Sequence, residues 1–138
     1  ISTGMSTWEM VDKAIEILES YNSEYAILHC NSTYPAPHNE LNLNIIPIMI
    51  KRYGCIVGYS GHEYDLEPSI IAVTLGAKII ERHVTLDHNM WGTDHRSSLE
   101  VHAMDLLRKR IKDIKIMLGG SEKKITESEI SVMQKLRG

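Results

Sequence analysis

Gly58-Tyr59-Ser60-Gly61-His62-Glu63 and Glu81-Arg82-His83-Val84-Thr85 decide how this chain reads. Each follows a short apolar run of strand type, Cys55-Ile56-Val57 before the first and Ala77-Lys78-Ile79-Ile80 before the second. Each sets one histidine where its strand ends. Residues 65–76 between them read as a helix, which makes the unit strand, helix, strand. Polar side chains thus gather at the carboxyl ends of two strands, the edge where parallel α/β proteins build their sites. His62 and His83 are expected to face one cavity and hold one metal ion. Imidazole nitrogens suit borderline divalent cations, and a two-histidine site leaves positions open for water or substrate. The bland alternatives are a hydrogen-bonded loop histidine for His62 and a satisfied core histidine for His83.

On either side, strand starts recur roughly every 25–30 residues, as in βα units with right-handed crossovers. Ile1-Ser2 reads as the last step of a strand, which suggests a fragment. Ser6-x-x-Glu9 is a capping box with Ser6 at N-cap, and Trp8, Val11, Ile15 and Leu18 follow at helical spacing. Residues 25–30 read as a buried strand, and residues 31–40, with Pro35 and Pro37, as a loop. Residues 42–53 carry a helix-like apolar spread with Pro47 in the first turn, stopped by Gly54. Asp65 is expected to cap the next helix, which has Pro68 in its first turn and Gly76 after its end. Residues 78–84 read as one strand and residues 85–98 as a long loop. Ser97-x-x-Glu100 is expected to cap the longest helix, ended by Gly119-Gly120, and Thr126-x-x-Glu129 a last short one.

The order is (β)α-βα-βα-βα with an extra C-terminal helix. Two α/β architectures fit: an open parallel sheet of four strands, or half of a (β/α)8 TIM barrel, whose usual size is about 250 residues. Four bare strands with the first cut in mid-strand favour the half barrel. With 138 residues, 43% of them apolar, the chain is long enough for one sizeable core and is not disordered. A net charge of −3 without a basic block argues against nucleic acid as a partner, and no apolar run approaches a membrane span. Cys30 and Cys55, both in strand-like runs, read as buried free thiols of a cytoplasmic protein.

All four strand ends carry reactive types: Ser2-Thr3-Gly4, then His29 with Asn31, Ser32, Thr33 and Tyr34, then Ser60, His62 and Glu63, then Glu81, Arg82, His83 and Thr85. A barrel turns them to one face, as a catalytic or binding mouth requires. Glycines in Ser2-Thr3-Gly4 and Ser60-Gly61 let backbone N–H groups and hydroxyls approach a phosphate or carboxylate, or serve only loop geometry. Tyr34 could pack on a sugar face or anchor its loop. Asp94 could accept hydrogen bonds from substrate hydroxyls or shape a turn. His29 is expected to be structural; His38, His88 and His102 are expected to be solvated.

In this order, Ile-Ser-Thr-Gly-Met (residues 1–5), Leu-His-Cys-Asn-Ser-Thr-Tyr-Pro (28–35), Gly-Tyr-Ser-Gly-His-Glu (58–63), Leu-Gly-Ala-Lys-Ile-Ile-Glu-Arg-His-Val-Thr-Leu-Asp (75–87) and Trp-Gly-Thr-Asp-His-Arg-Ser-Ser-Leu-Glu (91–100) resemble the sialic acid synthase family over residues 1–118. The resemblance implies the C-terminal half of a (β/α)8 barrel over residues 1–120, with residues 121–138 a helix and linker towards a missing antifreeze-like domain. It implies condensation of phosphoenolpyruvate with N-acetylmannosamine or its 6-phosphate, releasing phosphate. By the same resemblance Mn²⁺ or Mg²⁺ falls on His62 and His83, phosphoenolpyruvate on Ser2, Ser32 and Ser60, and the amino sugar on Tyr34 and Asp94. Glu81 joins the catalytic group as a positioner of water or metal. The full-length parent is implied to be a homodimer, and this piece alone to be inactive and prone to self-association. A legionaminic or pseudaminic acid synthase, or a surface-polysaccharide homologue, stays open within the family. A non-catalytic sugar-binding or assembly module is the alternative of another class. A Schiff-base aldolase would need a lysine at a strand end, and Lys78 lies at its strand's start.

Overall fold

In the computed structural model, which describes residues 1–138, three short apolar runs form the strands β1 (Ala26–Cys30), β2 (Ile56–Gly61) and β3 (Ile79–Arg82). They pair in parallel in the order β1-β2-β3. Ile1 and Ser2 extend this sheet beside β1: Leu28 N–H donates to the Ile1 carbonyl at 2.8 Å and Thr3 N–H to the Leu28 carbonyl at 2.9 Å. The strand order is therefore the chain order, with no reversal. Helices α1 (Trp8–Ser20), α2 (Ile45–Tyr53) and α3 (Glu67–Thr74) fill the crossovers. Right-handed crossovers taken always in one direction lay every helix on the same face of the sheet. A doubly wound sheet would need a switch point, so this is the arrangement of consecutive βα units in a (β/α)8 barrel.

The core lies between sheet and helices. Ile27, Val57 and Tyr59 meet Val11 and Ile15 of α1, Ile46 and Met49 of α2, and Ala72 and Ala77 around α3. Burying each Ile, Val or Met stabilises by about 1.5–3 kcal/mol. The strands alternate, and Leu28, Gly58 and Ile79 point to the opposite face, the interior of a barrel. A Cβ on Gly58 would lie 2.7 Å from the Ile79 carbonyl, so only glycine lets β2 and β3 close here. Ile56 and Ile79 on that face remain 54% and 38% exposed.

Several local expectations shift by a residue or more. Thr7, not Ser6, caps α1; its hydroxyl accepts from Met10 N–H while Ser6 Oγ donates to the Gly4 carbonyl. The helix of residues 42–53 begins at Ile45, with Pro47 in its first turn as expected, and ends at Gly54 in the left-handed region. Asp65 does not cap α3: its carboxylate meets His38 at 3.2 Å, its carbonyl accepts from Arg82, and Leu66 takes the cap position. The single strand expected over residues 78–84 breaks at His83. There the carbonyl accepts from Leu99 N–H at 2.7 Å, and β4 (Val84–Thr85) leaves the sheet to pair with β5 (Leu99–Glu100). That pairing removes Ser97 from any capping role; it sits buried in a 3-10 turn, and α4 (Val101–Leu118) starts after Glu100. Thr126 and Glu129 do form the expected capping box of α5 (Glu127–Arg137), a helix with no buried residue. Both cysteines are free, but Cys55 is only half-buried. No helix is long and apolar enough to cross a membrane.

Candidate functional site

The site grows from three strand ends. After β1 the chain runs through Asn31, whose side chain accepts from Thr33 N–H at 2.9 Å and so turns the loop back. Ala36 N–H then donates to the His62 carbonyl at 3.1 Å, and Tyr34 is carried over the end of β2. β2 delivers Ser60 and His62, and β3 delivers Glu81 and His83. Ser60 is registered against Glu81 and Gly61 against Arg82. One further step sets His62 beside His83.

The two imidazoles meet edge to face, with ring centres 5.2 Å apart and planes at 83°. Tyr34 closes the group, 4.2 Å from His62 and 5.5 Å from His83 between ring centres. His62 is buried, and its Nδ1–H donates to the Asn31 carbonyl at 2.6 Å. That bond fixes the tautomer and leaves the Nε2 lone pair facing the mouth, where the Tyr34 hydroxyl lies 3.2 Å away. An imidazole with one nitrogen tied to a backbone carbonyl presents its other lone pair as the donor a divalent cation takes, here in exchange for the hydrogen bond from the Tyr34 hydroxyl. The histidine pair therefore fits such an ion; no third His, Cys, Asp or Glu completes a protein-only cage. Cys30 Sγ lies 3.8 Å from His62 Nδ1. Burial raises the Tyr34 phenol above its ordinary pKa, with Cys30, Asp94 and Glu81 adding in the same direction, so it stays protonated.

The other candidates surround this pair less tightly. Asp94, half-exposed, holds one carboxylate oxygen 3.9 Å from His83 Nδ1, at the edge of a cleft of about 340 Å³ lined by His83, Thr93, His95 and Ser98. Ser60 Oγ donates to Glu81 at 2.7 Å. An anion reaching Ser60 must displace that bond, because a carboxylate already holds its proton. Ser32 packs on the Ser2-Thr3-Gly4 segment: a Cβ on Gly4 would meet its hydroxyl. Ser2 is exposed beside β1. A larger cavity, about 460 Å³, lies on the helix side of β1 among Thr3, Thr7, Trp8, His29 and Cys30 and does not touch the histidine pair.

His29 is structural, buried with Nε2 2.7 Å from the Leu41 carbonyl. His38 and His102 are exposed, but His88 is not simply solvated: it stacks on Tyr64 and donates from Nδ1 to the His95 carbonyl at 2.9 Å. The sequence places Glu63 and Arg82 with the other reactive strand-end residues at the mouth, but the structure turns both away from it into the core, where Glu63 accepts from Tyr59 and Arg82 donates to Ser69. Their side chains are fully buried and paired at 2.9 Å. The available signal was a charged residue directly beside each histidine, in runs otherwise bound for the core. Burial pulls the Arg82 guanidinium down from its usual range while Glu63 pushes it back.

The model of the NeuB family matches residues 1–123. The N,N'-diacetyllegionaminic acid synthase of Campylobacter jejuni is 38% identical over 132 residues, 94% of this chain and 40% of that protein. The N-acetylneuraminate-9-phosphate synthase of Drosophila melanogaster is 41% identical over 118 residues, 84% of this chain and 32% of that protein. The structure of N-acetylneuraminic acid (sialic acid) synthetase from Leptospira borgpetersenii, in complex with citrate, superposes with a TM-score of 0.84 at 31% identity. It covers 99% of this chain and 49% of that one. The chain thus spans less than half the length of these relatives.

Proposed function

The chain belongs to the NeuB family, and from that premise we propose that its full-length gene product is a sugar acid synthase. It condenses phosphoenolpyruvate with an N-acetylmannosamine-type amino sugar, free or 6-phosphorylated: carbon 3 of phosphoenolpyruvate bonds to the sugar aldehyde carbon, water adds at carbon 2, and the C–O bond to phosphate breaks to release inorganic phosphate. The observation that carries this reading is the edge-to-face His62–His83 pair under Tyr34 at the strand ends.

In this reading His62 Nε2 and His83 hold Mn²⁺ or Mg²⁺, which when bound supplies Lewis-acid polarisation of the sugar aldehyde. Tyr34 lays a neutral aromatic face beside the histidines, suited to an apolar sugar face, and Asp94 accepts from sugar hydroxyls across the His83 cleft. Ser2, Ser32 and Ser60 take the phosphoenolpyruvate end. Glu81 fixes the Ser60 hydroxyl and, once displaced from it, orients a water. The reading carries with it a homodimeric cytoplasmic enzyme.

The test is phosphate release from phosphoenolpyruvate and N-acetylmannosamine by the full-length gene product, with and without Mn²⁺. His62→Ala and His83→Ala should each abolish a metal-dependent release. Release that ignores metal and survives both changes would overturn the reading. A second acceptor is favoured by the 38% identity, over 94% of the chain, to a diacetyllegionaminic acid synthase. Release with a diacetamido-trideoxy sugar but not with N-acetylmannosamine would move the substrate there and keep the site.

A further inference from the structure

A single guanidinium joins the two segments that carry the histidines. Arg82 directly precedes His83, and Glu63 directly follows His62. From Arg82, Nη1 reaches Glu63 Oε1 at 2.9 Å, the Asp65 carbonyl at 2.9 Å and Ser69 Oγ at 3.1 Å, while Nη2 donates to the Glu63 carbonyl. On its far side the Glu63 carboxylate accepts from the Tyr59 hydroxyl at 2.7 Å. Both charged side chains are wholly buried. Strand alternation accounts for the layout: His62 and His83 turn to the mouth, and Glu63 and Arg82 turn to the core behind it.

We propose that the Arg82–Glu63 pair is the positioning element of the two-histidine site and sets the separation and mutual angle of the His62 and His83 rings. The inference rests on the reading of those histidines as a metal site. A buried ion pair is a poor device for stability alone, because desolvation offsets its attraction and apolar residues could fill the same volume. Apolar residues could not address two backbone carbonyls at fixed angles, which the planar guanidinium fork does. One peptide unit separates each paired residue from its histidine, so a shift of the pair reaches the rings with little slack. Groups that orient metal ligands typically contribute about 10–100-fold in metal affinity.

The experiment uses the full-length gene product and measures Mn²⁺ affinity by electron paramagnetic resonance of the free ion and ligand geometry by the visible spectrum of added Co²⁺. Arg82→Lys keeps the charge but not the fork. It should weaken Mn²⁺ binding by about 10–100-fold and shift the Co²⁺ bands. Ile46→Ala, a core truncation on α2, should lower the melting temperature at least as much and leave both metal readouts unchanged. Arg82→Lys that folds and binds Mn²⁺ like the wild type, with the same Co²⁺ spectrum, overturns the proposal. If Arg82→Lys does not fold, the isosteric Glu63→Gln is read by the same criteria. A wild type that binds no Mn²⁺ sinks the metal reading itself. The positioning role is then decided by crystal structures of wild type and variant: a His62–His83 ring separation unchanged from its 5.2 Å refutes it, and a changed one sustains it.

Discussion

Gly61→Ala tests the packing behind the site at one atom. A Cβ added at Gly61 would lie 2.7 Å from Glu63 Oε1, 2.9 Å from Oε2 and 2.8 Å from Tyr59 Cε1. The tip of a glutamate would ordinarily swing away at little cost. This one cannot, because Tyr59 holds one oxygen, Arg82 faces the other, and both Glu63 and Tyr59 are buried to within 1%. To reach ordinary contact at 3.4 Å from 2.7 and 2.9 Å, the carboxylate oxygens must retreat by about 0.7 and 0.5 Å, which stretches the bond to Tyr59 or the contact with Arg82. A hydrogen bond to a charged acceptor contributes about 1.5–3 kcal/mol, and an extra methyl in a filled core costs about 1–3 kcal/mol. The two describe the same relief in part, so the expected loss is about 2–4 kcal/mol. With a urea slope of about 2 kcal/mol per molar, the unfolding midpoint of the full-length gene product should fall by about 1–2 M. Gly120→Ala, where a Cβ meets nothing within 4 Å, should cause no loss. A Gly61→Ala midpoint within about 0.25 M of wild type, equivalent to about 0.5 kcal/mol, would refute the claim that the carboxylate is locked.

Two pH dependences follow from buried or paired groups. Burial first, and then the bond to Asp12, raise the Tyr53 phenol from 10.0 to about 12. The native state thus holds this proton more tightly than the unfolded one; the stabilisation is complete below pH 10 and disappears as pH rises towards about 12. Tyr53→Phe should flatten the fall of the urea midpoint across that interval, and an equally steep fall in the variant would exclude Tyr53 as its source. His29 runs the other way: burial lowers its pKa below 6.5, and its bond to the Leu41 carbonyl only partly opposes that. The unfolded state takes up the proton first, so stability drops as pH falls below 6.5, and His29→Gln should lessen the difference between midpoints at pH 7 and pH 5.

The strand-end histidines were legible because each ends an apolar run at the spacing of a βα unit, but that spacing fits an open parallel sheet as well as a half barrel, and the unreversed order β1-β2-β3 is read only from the pairing. The helix starts were less legible. Ser6 and Thr7 are adjacent capping residues, and the dihedral angles of the preceding turn, with Met5 at positive φ, decided between them. Ser97-x-x-Glu100 satisfies the local rule for a helix start, but Leu99 and Glu100 are taken by β4, and a pairing between residues 15 positions apart leaves no local mark. Arg82 and Glu63 read as part of the mouth and lie instead in the core behind it. Their pairing spans 19 residues and depends on which way each side chain turns at its strand end.

That turning couples the site to the core. Along β2, Val57 and Tyr59 enter the core while Ser60 faces the barrel interior, and past the strand end His62 continues the interior series and Glu63 the core series. Along β3, Glu81 and His83 face the mouth and Arg82 the core. Site and core are therefore alternate residues of the same two strands. A register slip of one residue would exchange them, sending two histidines into the helix layer and two charged groups into the mouth. The ion pair opposes such a slip, since Arg82 finds the Glu63 and Asp65 carbonyls only in the native register. Chemistry placed at strand ends in this way needs no separate scaffold: the alternation that fills the core also aims the reactive side chains, and one guanidinium behind them holds the aim.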